Sequence, residues 1–344
     1  MKIALDAMGH DEGPRNLVEG AALALGEYPE ISRLFLTGDT PRIEAELKRI
    51  GCHDGRIQIV HCTQVVEMND AAIDAVRRKK DSSVSRAVDL VKSGEAEAIV
   101  SAGHTGAAVA ATTIKLRTLP GIERPGIAAT LPTETNLFVL IDAGANTDPT
   151  PTQMAHNAIM GTIYSKHVLG YENPSVGLMS IGSEEKKGTD FTRESYDLLR
   201  ASGLNFRGNV EGHDLFENPV EVVVADGFTG NVVLKTSEAT AHAIFRWLKR
   251  EIHKTPTRKL GGMLAKGAFQ AIRKKTNADE YGGSPLLGIN GVCIIGHGGS
   301  SAVAVKNAMR AAIQSITHQV NPHIIEEVKR YNEKAAAKAA GTSR

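Results

Sequence analysis

Ala98-Ile99-Val100-Ser101-Ala102-Gly103-His104-Thr105-Gly106 passes from an apolar run, through a turn of small and polar residues, into Ala108–Leu116, whose apolar residues recur at helical spacing. A short buried strand, a glycine turn and a helix make the βα unit of parallel sheets. The same grammar recurs on both sides. Ile3–Leu5, Leu34–Thr37, Ile57–His61, Ile127–Leu131, Phe138–Asp142, Val176–Ile181, Val220–Ala225 and Val292–Ile295 read as strands. Between them, Leu17–Leu25, Ile43–Ile50, Ala155–Val168 and Phe191–Leu199 carry a period of about 3.6. Strands alternating with helices predict a three-layer α/β/α fold with a mostly parallel sheet covered on both faces. There is no repeat of fixed period and no linker rich in Pro, Ser and Gly. Residues 1–332 are therefore expected to form one α/β/α catalytic domain, with 333–344 as a flexible tail rich in Ala and Lys.

Composition narrows the function. Of 344 residues, 42% are hydrophobic and 23% charged, enough apolar surface for a sizeable core and unlike a disordered or fibrous chain. The 40 basic and 39 acidic residues give +1, so no overall field draws nucleic acid. Cys52, Cys62 and Cys293 form no C-x-x-C pair, which fits reduced thiols in a cytoplasmic protein. Asp6 stands where a signal peptide needs an apolar run, and no apolar stretch approaches the ~18 residues of a membrane span.

One segment departs from this balance. Residues 252–278 hold seven Lys or Arg and no acid, which leaves the rest of the chain about six charges negative, from 40 basic and 39 acidic residues in all. Leu260, Met263, Leu264, Ala268, Ala271 and Ile272 form an apolar stripe at helical spacing, and Lys259, Lys266 and Arg273 recur along another face. Pro256, Gly261, Gly262 and Gly267 predict a protruding hairpin of short amphipathic helices, with Arg258 and Lys274 adding charge. Such a stripe suits an acidic protein or an anionic membrane surface, or else is a solvated helix over the core.

Candidate chemistry gathers where strands end and helices begin, since free N–H groups and the helix dipole favour anions there. Six junctions qualify: Asp6 to Gly9, Ser101 to Gly106 (with Gly103, His104 and Thr105), Asp142 to Asn146, Ile181 to Gly188, Asp226 to Asn231 (with Thr229 and Gly230), and Gly296 to Ser301. Together they suggest a phosphate-binding cleft, although glycine in any one turn has a steric explanation. Lys186, beside Lys187, either meets phosphate as a point charge or is solvated. Asn231 either donates its amide to an oxygen or caps a helix. His297 and His104 can serve an anion or a structural hydrogen bond, while Asp6 and Asp142 can simply cap turns. The signatures G-x-x-x-x-G-K-[ST], G-x-G-x-x-G, G-x-S-x-G and H-E-x-x-H are absent, so neither a nucleotide loop, a covalent serine nor a zinc site has support.

In their order these motifs resemble one family, the bacterial phosphate acyltransferases (acyl-acyl carrier protein:phosphate transacylases). The resemblance runs through Ile3 to Gly9, Arg77-Arg78-Lys79-Lys80 with Ser82-Ser83, Ser101 to Ala107, Arg124-Pro125, Thr130-Leu131-Pro132, Asp142 to Asn146, Gly182 to Gly188, Asp226 to Lys235, Tyr281-Gly282-Gly283 and His297-Gly298. His10, Glu12, His104 and Gly299 depart from the family's usual residues. The resemblance implies a fold like that of isocitrate and isopropylmalate dehydrogenases and phosphotransacetylase, and a homodimer. It implies that inorganic phosphate attacks a fatty acyl-acyl carrier protein thioester. The acyl phosphate formed then feeds a membrane glycerol-3-phosphate acyltransferase of phospholipid synthesis. No cofactor or metal is implied. Lys186 and Asn231 match the family's active-site lysine and asparagine, with His297 a further candidate donor. The 252–278 segment gains a role in docking the acidic carrier, or the inner face of the cell membrane.

Three rivals remain. A hydroxy-acid dehydrogenase shares the fold but needs a dinucleotide site and metal-binding carboxylates that the sequence lacks. A phosphotransacetylase using acyl-coenzyme A differs in its donor. A non-catalytic adaptor that binds carrier or membrane through 252–278 leaves the glycine junctions without a purpose.

Overall fold

A computed structural model describes residues 1–10, 13–217 and 220–342. Among these, one sheet contains β1 (Lys2–Asp6), β2 (Arg33–Gly38), β3 (Ile57–His61), β4 (Ala98–Ser101), β5 (Gly126–Pro132), β6 (Leu137–Ile141), β7 (Ser175–Met179), β8 (Asn205–Val210), β9 (Val222–Val224), β10 (Ser284–Leu287) and β11 (Val292–Ile295). Its order is β3-β2-β1-β4-β11-β10-β5-β6-β9-β7-β8. Helices lie on both faces, as the alternating pattern predicts. Ile3, Leu5, Val100 and Ile294 turn to one face, against the helices Arg15–Glu27 and Ala302–Thr317. Ala4, Ile99 and Cys293 turn to the other, against Ser83–Lys92 and Thr105–Leu116. Each strand thus buries successive residues in opposite layers, and each fully buried Leu or Ile contributes ~1.5–3 kcal/mol.

Strand direction matters most for function. β3, β2, β1, β4 and β11 are mutually parallel. So are β6, β9, β7 and β8. The pairs β11–β10, β10–β5 and β5–β6 that join the two groups are all antiparallel. Three reversals leave the second group running against the first, so their carboxyl ends face opposite edges of the sheet. β10 makes the join: Ser284 and Pro285 pair with β11, and Leu286 and Leu287 pair with β5.

Two strands escape the periodicity reading. β8 carries Arg207, Gly208 and two asparagines, and β10 contains a proline, a residue rare in central strands. The helix Gly227–Ile252 starts at the edge of β6 and β9, passes the far ends of β5 and β10, where Leu234 and Ala241 line a cavity with Pro132 and Gly283, and runs on beyond that edge. There Pro256–Leu264 and Lys266–Thr276 form the hairpin. Thr255 caps its first helix and Pro256 takes the first turn. The break falls at Ala265, with Gly261, Gly262 and Gly267 inside helices rather than ending them. Neither hairpin helix buries a residue, so the pair projects instead of covering the core, and Leu264 is 83% exposed. The last helix, Val320–Thr342, buries Val320, Ile324 and Val328 and continues through most of the expected tail; residues 343–344 lie outside the described residues.

Candidate functional site

The edge formed by the ends of β6, β7 and β9 is built around Asp142, which is completely buried. Its Oδ1 accepts from the N–H groups of Ile127 (3.0 Å), Gly144 (2.9 Å) and Ala145 (2.9 Å), and its Oδ2 from Asn146 (2.7 Å). Burial pushes its pKa up while these four backbone donors pull it down. The carboxylate therefore shapes the Asp142–Asn146 loop and, fully buried, does not face a ligand. Asn146 Nδ2 donates to Gln153 (2.9 Å), tying the loop to the capping box of the helix Pro151–His167.

The helix Gly227–Ile252 begins on this loop. Asp226 caps it, accepting from Thr229 N (2.8 Å) and Thr229 Oγ1 (2.7 Å), and Gly227 N donates to the Asn146 carbonyl (2.9 Å). The approach demands glycine: a Cβ on Gly230 would lie 1.9 Å from the Asp142 carbonyl oxygen, and one on Gly227 2.5 Å from that of Asn146. With Asp226 occupying the helix start, the polar side chain this turn leaves exposed is Asn231, packed against Gly144 and close in sequence to exposed Phe228. The turn after β7 reaches the same edge. Asn209 of β8 donates to the Glu184 carbonyl (2.8 Å), and Lys186 stands exposed at the turn's tip, while Lys187 pairs with Glu184. An exposed amide and an exposed ammonium on one edge of the sheet can polarise a carbonyl and hold a phosphate.

The remaining candidates collect at the opposite edge, at the ends of β1, β4 and β11. Asp6 is buried and accepts from Ser101 Oγ (2.8 Å) and from Ser83; burial pushes its carboxyl up. Gly9 and Gly103 touch backbone to backbone, with Cβ positions 2.8–3.0 Å from each other's main chain. His104 caps the helix Thr105–Leu116, Nδ1 accepting from Ala107 N (3.2 Å), and its Nε2 lies 3.1 Å from the Asp70 carbonyl. Both ring nitrogens are thus engaged in structure, beside Thr105 and Gly106 in the first turn. His297 is exposed, its Nδ1 accepting from Gly299 N (3.1 Å), so Nε2 carries the proton. His10 joins this cluster through Ser300 O (3.0 Å) and Asn16; Glu12 lies outside the described residues.

The six junctions that look alike in the sequence therefore form two clusters and not one cleft. Lys186 and Asn231 share an edge; His297, Asp6, Ser101 and His104 share the other. Ser83, which the sequence marks only through the Ser82-Ser83 motif, lines a water-sized cavity with Asp6, Ser101 and His104. No group of His, Cys, Asp and Glu suited to a metal ion is present among the described residues.

Known proteins resemble this chain along its length. The family described as "Fatty acid synthesis protein" matches residues 1–323. A phosphate acyltransferase of Akkermansia muciniphila is 49% identical over 336 residues, covering 96% of each chain. One from Pelotomaculum thermopropionicum is 46% identical over 341 residues, covering 99% of this chain and 98% of its own. A phosphotransacetylase from Streptococcus pyogenes superposes with a TM-score of 0.60 at 19% identity, covering 92% of this chain and 94% of its own, a likeness of fold alone.

Proposed function

The chain belongs to the phosphate acyltransferase family, and from that membership we propose how its own residues carry out the reaction. It is an enzyme that transfers acyl groups to phosphate in lipid synthesis. A phosphate oxygen attacks the thioester carbon, the C–O bond forms, the carbonyl oxygen takes up charge, and the C–S bond breaks to release the thiolate. A thiol of pKa ~8.5 leaves without a strong acid, and phosphate is nucleophilic at neutral pH, so no protein nucleophile is required.

What the protein must supply is position and charge. Lys186 holds the phosphate and offsets its charge; Asn231 donates to the developing oxyanion, with the Gly230 turn fixing its place. Orientation of the two reactants accounts for ~7 kcal/mol of the barrier and a fixed oxyanion donor for ~3 kcal/mol. The observation that carries this reading is the seating of Gly227 and Gly230 on the Asp142 loop, which presents Asn231 at a rigid mouth on the edge that Lys186 also reaches.

The acyl donor is acyl carrier protein, an acidic partner, and the projecting hairpin is its dock. Arg258, Lys259, Lys266, Arg273 and Lys274 stand exposed there, beside exposed Leu260, Met263 and Leu264. No helix among the described residues is long and apolar enough to cross a membrane. The protein works as a homodimer at or near the cytoplasmic face of the cell membrane, where a membrane glycerol-3-phosphate acyltransferase consumes the acyl phosphate. The test offers purified protein phosphate with palmitoyl-acyl carrier protein or palmitoyl-coenzyme A and detects acyl phosphate by mass spectrometry. Phosphate-dependent product from the carrier donor supports this reading. Product from coenzyme A alone replaces the donor.

A further inference from the structure

Beyond Asn231 the long helix carries a feature that the chemistry above does not use. Val232, Thr236, Thr240, Ile244 and Leu248, every fourth residue, line one side of a groove of about 670 Å³. Leu215 and Phe216, between β8 and β9, and Phe269 and Ile272 of the hairpin line the other. No charged side chain enters it, whereas the neighbouring cavity between the hairpin and the distal half of the helix holds Arg246, Lys249, Lys266 and Arg273. Val232, Ile244 and Ile272 are each at least half exposed to solvent, an apolar surface large enough for a ligand of ordinary size.

We propose that this groove seats the fatty acyl chain of the donor, with the thioester at Asn231 and the methyl end beneath Phe269 and Ile272. The inference rests on the acyl-transfer reading and deepens it by assigning the part of the substrate that reading leaves unplaced. Continuity supports it: Val232 directly follows Asn231, and Gly212, just beyond the end of β8, lies at the same mouth. Length supports it too. At ~1.5 Å per residue the helix advances ~24 Å from Val232 to Leu248, more than the ~15 Å that one leaflet of acyl chains spans. The lining carries the hydroxyls of Thr236, Ser237, Thr240 and Thr276 but no ionisable group, as an alkyl chain requires and a carrier protein surface does not.

The groove predicts chain-length selection, since each methylene seated is worth about fourfold in transition-state binding. The experiment compares kcat/KM for palmitoyl- and butyryl-acyl carrier protein in the full-length protein, its Thr240→Trp variant and its Ile244→Ser variant. Thr240→Trp fills the groove and Ile244→Ser removes an apolar wall. The palmitoyl-to-butyryl ratio is expected to fall at least ~tenfold with Thr240→Trp, the loss of a few seated methylenes, and less with Ile244→Ser. A ratio unchanged in both folded variants overturns the proposal. So does a ratio unchanged while sedimentation shows the variants splitting into monomers, because the groove then belongs to a second copy of the chain. If wild-type protein makes no acyl phosphate from either donor, it is the acyl-transfer reading that fails. The groove is then judged by a fluorescent polyene fatty acid: saturable binding lost in Thr240→Trp upholds an acyl seat, and no binding to wild type refutes it.

Discussion

Replacing Gly230 by alanine tests whether the seating of the long helix on the Asp142 loop sets the active geometry. The new Cβ would lie 1.9 Å from the Asp142 carbonyl oxygen, 3.0 Å from its carbon and 3.3 Å from the Ala143 Cα. Ordinary contact starts at 3.4 Å, so about 1.5 Å of separation must be found between two stretches of main chain. The loop cannot yield cheaply, because four of its neighbouring N–H groups are fixed to the buried Asp142 carboxylate. The first turn of the helix must lift instead, carrying Asn231 with it. A displacement of ~1 Å at a catalytic donor costs ~100-fold in rate, and overpacking costs ~1–3 kcal/mol in stability. The assay pairs acyl phosphate formation with urea denaturation, and Gly26→Ala, at a helical site with nothing within 4 Å, serves as the control. That control gains up to ~1 kcal/mol from helix propensity at wild-type turnover. A Gly230→Ala protein that turns over within threefold of wild type would show that this seating does not set the active geometry.

Three further perturbations bear on the scaffold and the proposed dock. Asp142→Asn turns an amide NH₂ toward N–H groups that need acceptors, and should cost at least ~1–3 kcal/mol in urea denaturation; a variant as stable as wild type contradicts the loop's dependence on the carboxylate. Asp81 accepts from Thr63 N, Thr63 Oγ1 and Arg86 Nε, and these bonds hold its carboxyl down to about 2. Folding therefore favours its ionised form: the contribution is complete above the unfolded value of 3.8 and fades as pH falls toward 2. Allowing for solvent screening, Asp81→Asn should cost ~1 kcal/mol at neutral pH, with the gap from wild type closing below about pH 4; a gap independent of pH counts against the assignment. Reversing Lys259, Lys266 and Arg273 to Glu should raise the KM for acyl carrier protein and leave that for phosphate in place, and equal effects on both would remove the hairpin as the dock.

The layers of the fold are legible in the sequence because burial imposes its period on each segment separately. Ile99 and Val100 alternate between faces, and the glycines after each strand mark where a helix must begin. Strand direction leaves no such mark. Nothing in Phe138–Ile141 distinguishes a strand running with β4 from one running against it, so Asp142 and Ser101 look equivalent although they end at opposite edges. The net reversal falls at the antiparallel β5–β6 pair, since β10, hidden as a strand by its proline, runs against both its neighbours and leaves β5 parallel to β11. The roles of the junction acids were hidden for a related reason: an aspartate that binds a ligand and one that accepts four N–H groups of its own loop, as Asp142 does, have the same neighbours in sequence. Lys186 and Asn231 were legible through the family motifs, and the apolar flank of the long helix only once Phe216, Phe269 and Ile272 were brought against it.

If the edge bearing Lys186 and Asn231 carries the chemistry, the turnover of Lys186→Ala must show it. Measured as acyl phosphate formed from palmitoyl-acyl carrier protein at saturating phosphate, with the fold verified by circular dichroism, turnover should fall at least ~100-fold. Near-normal turnover would take the exposed lysine, and with it this edge, out of the mechanism.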